Sequence, residues 1–222
     1  MRRLLIIGAG GFGREVWQWA RTQEQTQRSP WHVGGFLDAD TSALAGFGLS
    51  APVLGDPASY TPAPGDCFVC AIGDPSIRLQ LSEGLRKRAG QFVNVIHPAA
   101  VVASESRLGE GCILCPGAVV SAHARLGDYV LLNLHATVGH DAVLGDGSTL
   151  ACHADVTGKA VLARGVFIGS HGSVLPGVKV GEFAIVSAGS VAFRDVPAYA
   201  TVIGVPARVL HTRRPSPQSP AP

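Results

Sequence analysis

Leu132-Asn133-Leu134-His135-Ala136-Thr137-Val138-Gly139-His140-Asp141-Ala142-Val143-Leu144-Gly145-Asp146-Gly147-Ser148-Thr149-Leu150 places an aliphatic at every sixth residue, and that interval governs the second half of the chain. Working outward, the register runs back through Leu126, Val120, Leu114 and Leu108 to Val102, and forward through Val156, Leu162, Ile168, Val174 and Val180 to Val186. Two residues ahead of most of these positions stands a small residue, such as Ala118, Ala124, Ala136, Ala142, Ser148, Ala154, Ala160, Gly172 or Ala184. Residues two apart on a short strand point the same way, so each pair faces inward and the other half of the hexad turns. Three such strands close a triangular coil, and residues 18 apart stack at about 4.8 Å per coil. Fifteen hexads predict five coils with no large inserted loop.

The first 95 residues follow a different rule. Strand-like and helix-like patterns alternate, as in a parallel α/β unit: strands over residues 4–7, 33–37, 66–72 and 92–96, helices over 12–22 and 75–89. The first turn reads Gly8-Ala9-Gly10-Gly11-Phe12-Gly13, a G-x-G-x-x-G between strand and helix that lets backbone N–H groups face a phosphate. Asp38, with Ala39 beside it, ends the second strand, where a carboxylate reaches a ribose hydroxyl. A dinucleotide fold needs two mononucleotide halves and there is room for one, so the expected ligand is a single nucleotide; glycines that only permit a tight turn are the alternative. The resulting division is an α/β, Rossmann-like half domain over residues 1–95, a β-helical domain over 96–212 and a disordered Pro- and Ser-rich tail over 213–222.

Composition narrows the function classes. The 222 residues carry 18 basic and 16 acidic side chains, a net charge of +2, so no field that would gather nucleic acid or an anionic bilayer is built in. The apolar runs fall far short of the roughly 18 residues that span a membrane, and the chain reads as cytoplasmic without a signal peptide. Five cysteines argue against a disulfide framework. The pairs Cys67/Cys70 and Cys112/Cys115 sit in strand-like stretches, where residues three apart face opposite ways and cannot close on one metal.

The hexad pattern resembles the left-handed parallel β-helix of the hexapeptide-repeat acyltransferases, over residues 102 to 209. Together with Ile7-Gly8-Ala9-Gly10-Gly11-Phe12-Gly13-Arg14-Glu15, Gly35-Phe36-Leu37-Asp38, Ala71-Ile72-Gly73-Asp74 and the closing Val202-Ile203-Gly204-Val205-Pro206-Ala207, it resembles the bacterial sugar acetyltransferases. These include N-acetyltransferases of UDP- and GDP-linked 4-amino sugars and sialic acid O-acetyltransferases. The resemblance implies acetyl-CoA as co-substrate, a nucleotide-linked amino sugar as acceptor, a role in cell-surface polysaccharide biosynthesis, a homotrimer and no metal. Outward-facing Val119, Val143, Val161 and Phe167 agree with self-association.

Acetyl transfer needs a base for the acceptor's proton and a donor to the developing oxyanion. Among eight histidines, His140 with Asp141 stands where the family carries its catalytic histidine and acid, at a corner two residues past an inward valine. The resemblance makes the Gly158 N–H, one coil on, the oxyanion donor. It places the stack of Cys152, Ser170 and Ala188 from a neighbouring chain in the coenzyme groove, with Val205 near the adenine. It assigns Gly10, Gly11, Phe12, Gly13, Asp38, Ala39 and Gly73 to the acceptor's nucleotide. Asn133 matches a position lining the acceptor pocket and equally suits an ordinary turn. His135, His153 and His171, 18 apart, form a ladder that invites comparison with the zinc-dependent γ-carbonic anhydrases; chelation there needs a second chain. A non-catalytic nucleotide-sugar scaffold is the remaining alternative, disfavoured by the His140-Asp141 pair.

Overall fold

The structure, a computed structural model, describes residues 1–26 and 29–213. Of the expected disordered tail, all but Arg213 lies outside the described residues.

The N-terminal unit runs β1 (Arg2–Ile7), α1 (Gly11–Thr26), β2 (Trp31–Leu37), β3 (Asp66–Cys70), α2 (Pro75–Lys87) and β4 (Gln91–Phe92). Its strands form one parallel sheet in the order β2-β1-β3-β4. Alternation on β1 builds two cores: Leu4 and Ile6 pack with Val16 and Ala20 of α1, Leu5 and Ile7 with Leu79 and Leu85 of α2. The helices therefore cover opposite faces. Because α1 leads back to β2 and α2 leads on to β4, the chain order reverses between β1 and β3, and a crevice opens beyond the carboxyl ends of those strands.

Seventeen two-residue strands follow, from β5 (Val95–Ile96) to β21 (Val191–Ala192), and then a hairpin of β22 (Ala200–Gly204) and β23 (Ala207–Thr212). Every third strand stacks in register, which gives a prism with three parallel faces. The first face carries Ile113, Leu131, Thr149, Phe167 and Ile185 outward; the second carries Val119, Thr137, Asp155, Ser173 and Val191; the third carries Arg107, Arg125, Val143, Val161 and Lys179. The inward aliphatics and the small residues two ahead of them form one continuous core. Corner residues such as His135, Asp141, His153, Lys159 and His171 adopt a left-handed backbone conformation, which lets the chain turn at each edge.

Two expectations are corrected. The register reaches one rung further at each end than fifteen hexads, through Ile96 paired with Leu114 and Ala192 paired with Val174. The single strand expected over residues 92–96 is two strands in two sheets: β4 closes the α/β sheet and β5 opens the prism. Asn94, between them, bonds to Gly109 and Cys112 of the first coil and makes the break. Cys67 and Cys70 point into separate cores, as do Cys112 and Cys115, and burial pushes the thiols of Cys67 and Cys70 up to about 11 and that of Cys112 to about 12.

The two units share their cores. Val95, Ile113, Cys115 and Leu131 of the first face pack under α1, toward the corner between the first and second faces. Leu79 of α2 abuts Gly147 at the corner between the third and first faces. The joint is closed by Arg78, 1 % exposed, whose guanidinium donates to the carbonyls of Ile72, Tyr129 and Gly147 and to Thr149 Oγ1 at 2.6–3.0 Å. Burial pulls this guanidinium down to about 10, so it remains a cation at neutral pH, solvated by backbone oxygens in place of water. Arg78→Met leaves those carbonyls without a donor and should lower unfolding stability by about 2–4 kcal/mol in denaturant titration; an unchanged midpoint would contradict the role of this joint.

Candidate active site

The crevice between β1 and β3 is bordered by the glycine loop and by the connection that carries Gly73. Gly8 has φ +94°, and a Cβ on Gly13 would lie 1.9 Å from the Gly8 carbonyl oxygen, so glycine at 13 is what lets α1 start tight against β1. Gly10 and Gly11 differ, since a Cβ on Gly10 would meet open space and one on Gly11 only the tip of Arg14. The N–H groups of Gly10, Gly11, Phe12 and Gly13 find no acceptor among the described residues. The other helix is closed: Asp74 caps α2 by accepting from the N–H groups of Ser76 and Ile77. Asp38 lies at the rim, and its carboxylate accepts from Ala9 N–H at 2.7 Å and Asp40 N–H at 2.9 Å, so it braces the glycine loop as well as facing the crevice. Ala39 is exposed beside it and Gly73 is exposed across the crevice.

His140 and Asp141 occupy the corner between the second and third faces. Nδ1 of His140 lies 2.8 Å from Asp141 Oδ2, and the imidazole is open to solvent. Hydrogen bonding to His140 holds the Asp141 carboxyl below the usual carboxylate range. A carboxylate only accepts, so Nδ1 carries the hydrogen, and in the neutral form of the ring Nε2 presents a lone pair. Nε2 lies over Gly158 of the next coil, 2.6 Å from where a Cβ would stand, so only glycine leaves room for the ring. The Gly158 N–H has no acceptor among the described residues.

Cys152, Ser170 and Ala188 stack on a different corner, between the first and second faces, and Asn133 joins them there with Oδ1 bonded to Leu134 N–H. Within one chain the structure does not bring Asn133 or this stack to His140. The histidine ladder shares that corner, its rings nearly parallel at 8° with centroids 5.1 and 4.8 Å apart. Parallel rings direct their nitrogens along parallel lines that do not converge on a metal. Val205 is exposed at the tip of the β22–β23 hairpin.

Sequence reasoning missed a cavity of about 660 Å³ above the N-terminus of α2, lined by Gly73, Phe167, Phe183, Ile185, Tyr199 and Arg213. Its walls come from residues far apart in sequence, and the only local signal is the aromatic pair Phe183 and Tyr199, 16 positions apart and stacked at 5.9 Å.

Known proteins share this fold. The PglD N-terminal domain family matches residues 3–85. PerB from Caulobacter crescentus, solved with CoA and GDP-perosamine, superposes with a TM-score of 0.85 at 33% identity, over 95% of this chain and 98% of that one. The acetyltransferase domain of PglB from Neisseria gonorrhoeae superposes with a TM-score of 0.86 at 29% identity, over 95% of this chain and 100% of that one. A UDP-N-acetylbacillosamine N-acetyltransferase of Bacillus subtilis is 30% identical over 118 residues, 51% of this chain and 51% of the relative, so that match spans about half the relative's length.

The two kinds of glycine in the loop should separate in thermal denaturation. Gly13→Ala, which must force Gly8 away, is expected to cost about 1–3 kcal/mol, while Gly11→Ala should stay within about 0.5 kcal/mol of the parent. Equal midpoints for the two variants would contradict the packing assigned to Gly13.

Proposed function

We propose, from the premise that this chain belongs to the bacterial hexapeptide-repeat sugar acetyltransferases, that it transfers the acetyl group of acetyl-CoA directly to the amine of a UDP- or GDP-linked amino sugar. The observation that carries the reading is His140: its Nδ1 is engaged by Asp141, its Nε2 is free, and an unbonded Gly158 N–H lies beside it.

The roles follow from the chemistry. Nε2 of His140 takes a proton from the acceptor nitrogen as that nitrogen attacks the thioester carbonyl. Asp141, ionised through the neutral range, stabilises the imidazolium that forms. The Gly158 N–H meets the oxyanion as it develops. The carbon–sulfur bond breaks, the carbon–nitrogen bond remains, and His140 returns the proton to the departing sulfur. No step requires a metal, and among the described residues no histidine, cysteine or carboxylate cluster is arranged to hold one. Acetyl-CoA is read as lying along Gly158, Ser170 and Ala188 toward Val205, residues whose small side chains admit close approach.

The placement of the two half-sites argues for an assembly. The α/β unit sits on the first face, and its glycine loop belongs to α1, which packs toward the corner of Asn133, Ser170 and Ala188. His140 stands on the corner between the other two faces. The second face bears Val101, Val119 and Val191 and no lysine or arginine, unlike the third face with Arg107, Arg125 and Lys179. Packing three second faces around an axis brings the His140 corner of one chain against the Ser170 corner and the nucleotide loop of the next. We read the active unit as this homotrimer. Among the described residues no helix is long and apolar enough to cross a membrane. Both substrates are metabolites of the cytoplasm, where we place the reaction, and the acetylated nucleotide sugar is read as a precursor for cell-surface polysaccharide.

His140→Ala should lower kcat by about 10²–10⁴-fold with little change in acetyl-CoA affinity; near-parental turnover would sink the assignment. Mixing His140→Ala chains with Gly11→Val chains should restore activity, to about a quarter of the sites for random trimers, because each mutant supplies what the other lacks. No recovery on mixing would mean that base and nucleotide loop act within one chain.

A further inference from the structure

The charges around the crevice do not suit the ligand read into it. The connections after β1, β2 and β3 supply Asp38, Asp40, Asp56 and Asp74 and no basic residue. Each of these carboxylates is engaged with backbone N–H groups, and Asp40 and Asp74 also with the hydroxyls of Ser42 and Ser76. Arg78, in the first turn of α2, is buried and its donors are occupied. A diphosphate entering here would meet a rim of negative side chains.

One cation stands over the glycine loop itself. Arg14 lies in the first turn of α1, which holds no acid. A cation there opposes the helix dipole, so its position is a local cost to the apo protein. Among the described residues it forms no ion pair. Its guanidinium folds back over the glycine loop: Nη1 is 3.5 Å from the Ala9 carbonyl, and Nη2 is 3.9 Å from where a Cβ on Gly11 would stand. It is held there by the ring of Phe47, whose centroid lies 3.6 Å from Cζ. Phe47 comes from the turn segment over residues 41–48 and is 54 % exposed.

We propose that Arg14, steadied by Phe47, is the specificity-determining residue for the acceptor's diphosphate, offering a forked pair of donors beside the free amides of the glycine loop. This rests on the reading of the crevice as the acceptor site. A guanidinium matches two phosphate oxygens at once, and its charge offsets the acidic rim. Phe47 lowers the entropy of holding the long side chain over the loop. Nucleosides without phosphate should be indifferent to Arg14, and the coenzyme, placed on the prism, should be as well.

The test is calorimetric titration of the full chain with UDP, GDP, uridine and guanosine, for the parent, Arg14→Gln, Arg14→Lys and Phe47→Leu, with the thermal midpoint of each as a check on folding. The parent should bind at least one of the two diphosphates. Arg14→Gln should bind it at least about tenfold more weakly with nucleoside binding unchanged, Arg14→Lys should recover part of the loss, and Phe47→Leu should fall between parent and Arg14→Gln. In turnover the acceptor KM should rise with kcat and the acetyl-CoA KM unchanged. Diphosphate binding by Arg14→Gln equal to that of the parent overturns the inference and leaves the acceptor reading standing. A parent that binds neither diphosphate overturns both.

Discussion

Every feature of the molecule depends on the stacking of residues 18 apart. An inward aliphatic and a small residue two positions before it fill one third of a coil, and the core admits a polar group only where, as at Ser148, a backbone carbonyl receives its hydroxyl. The repeat cannot drift, and the corners are thereby fixed as three separate columns. Gly158 lies above His140 because the coil has that length, and the same geometry stacks the imidazoles of His135, His153 and His171. The placement of Gly158 against His140 is thus a by-product of core packing: a residue inserted between 140 and 158 would move the glycine off the imidazole and turn the core residues outward.

The α/β unit is mounted on this prism by shared core and by one buried cation. Arg78 satisfies carbonyls from its own unit and from two coils of the prism, which fixes the angle at which the crevice faces. On the proposed reading, the two half-sites are not joined within a single chain. The crevice belongs to the first face and His140 to the corner opposite it, which is why the proposed reaction calls for a second chain, with the second face, poor in charge, as the proposed surface between chains.

Much of this was legible in the residues. The stretch 132–150 discloses the prism because its inward positions admit no exceptions, and His140-Asp141 stands out because its place within the hexad puts it on an edge. The limits are equally physical. Phe92-Val93-Asn94-Val95-Ile96 reads as one strand, since nothing local shows that the Asn94 side chain bonds to the first coil and ends one sheet before the next begins. The final coil shortens: Val196 bridges to Val180 and Val202 pairs with Val186, a shift set by packing around residues 193–199 and invisible in the aliphatic spacing. Arg78 looks like any of the basic residues on α2 until the prism closes over it. Asn133 and His140 are seven apart in sequence yet belong to different corners, so within one chain they do not meet.

Direct transfer within such an assembly is open to one decisive measurement: initial rates of thiol release from acetyl-CoA with UDP- and GDP-linked 4-amino sugars, varied against one another. Double-reciprocal lines that intersect, with one amide formed for each thiol released and no release in the absence of acceptor, are the expected result. Parallel lines, or a burst of thiol from acetyl-CoA alone, would mean that the acetyl group first rests on the protein and would contradict His140 as the base of a direct transfer.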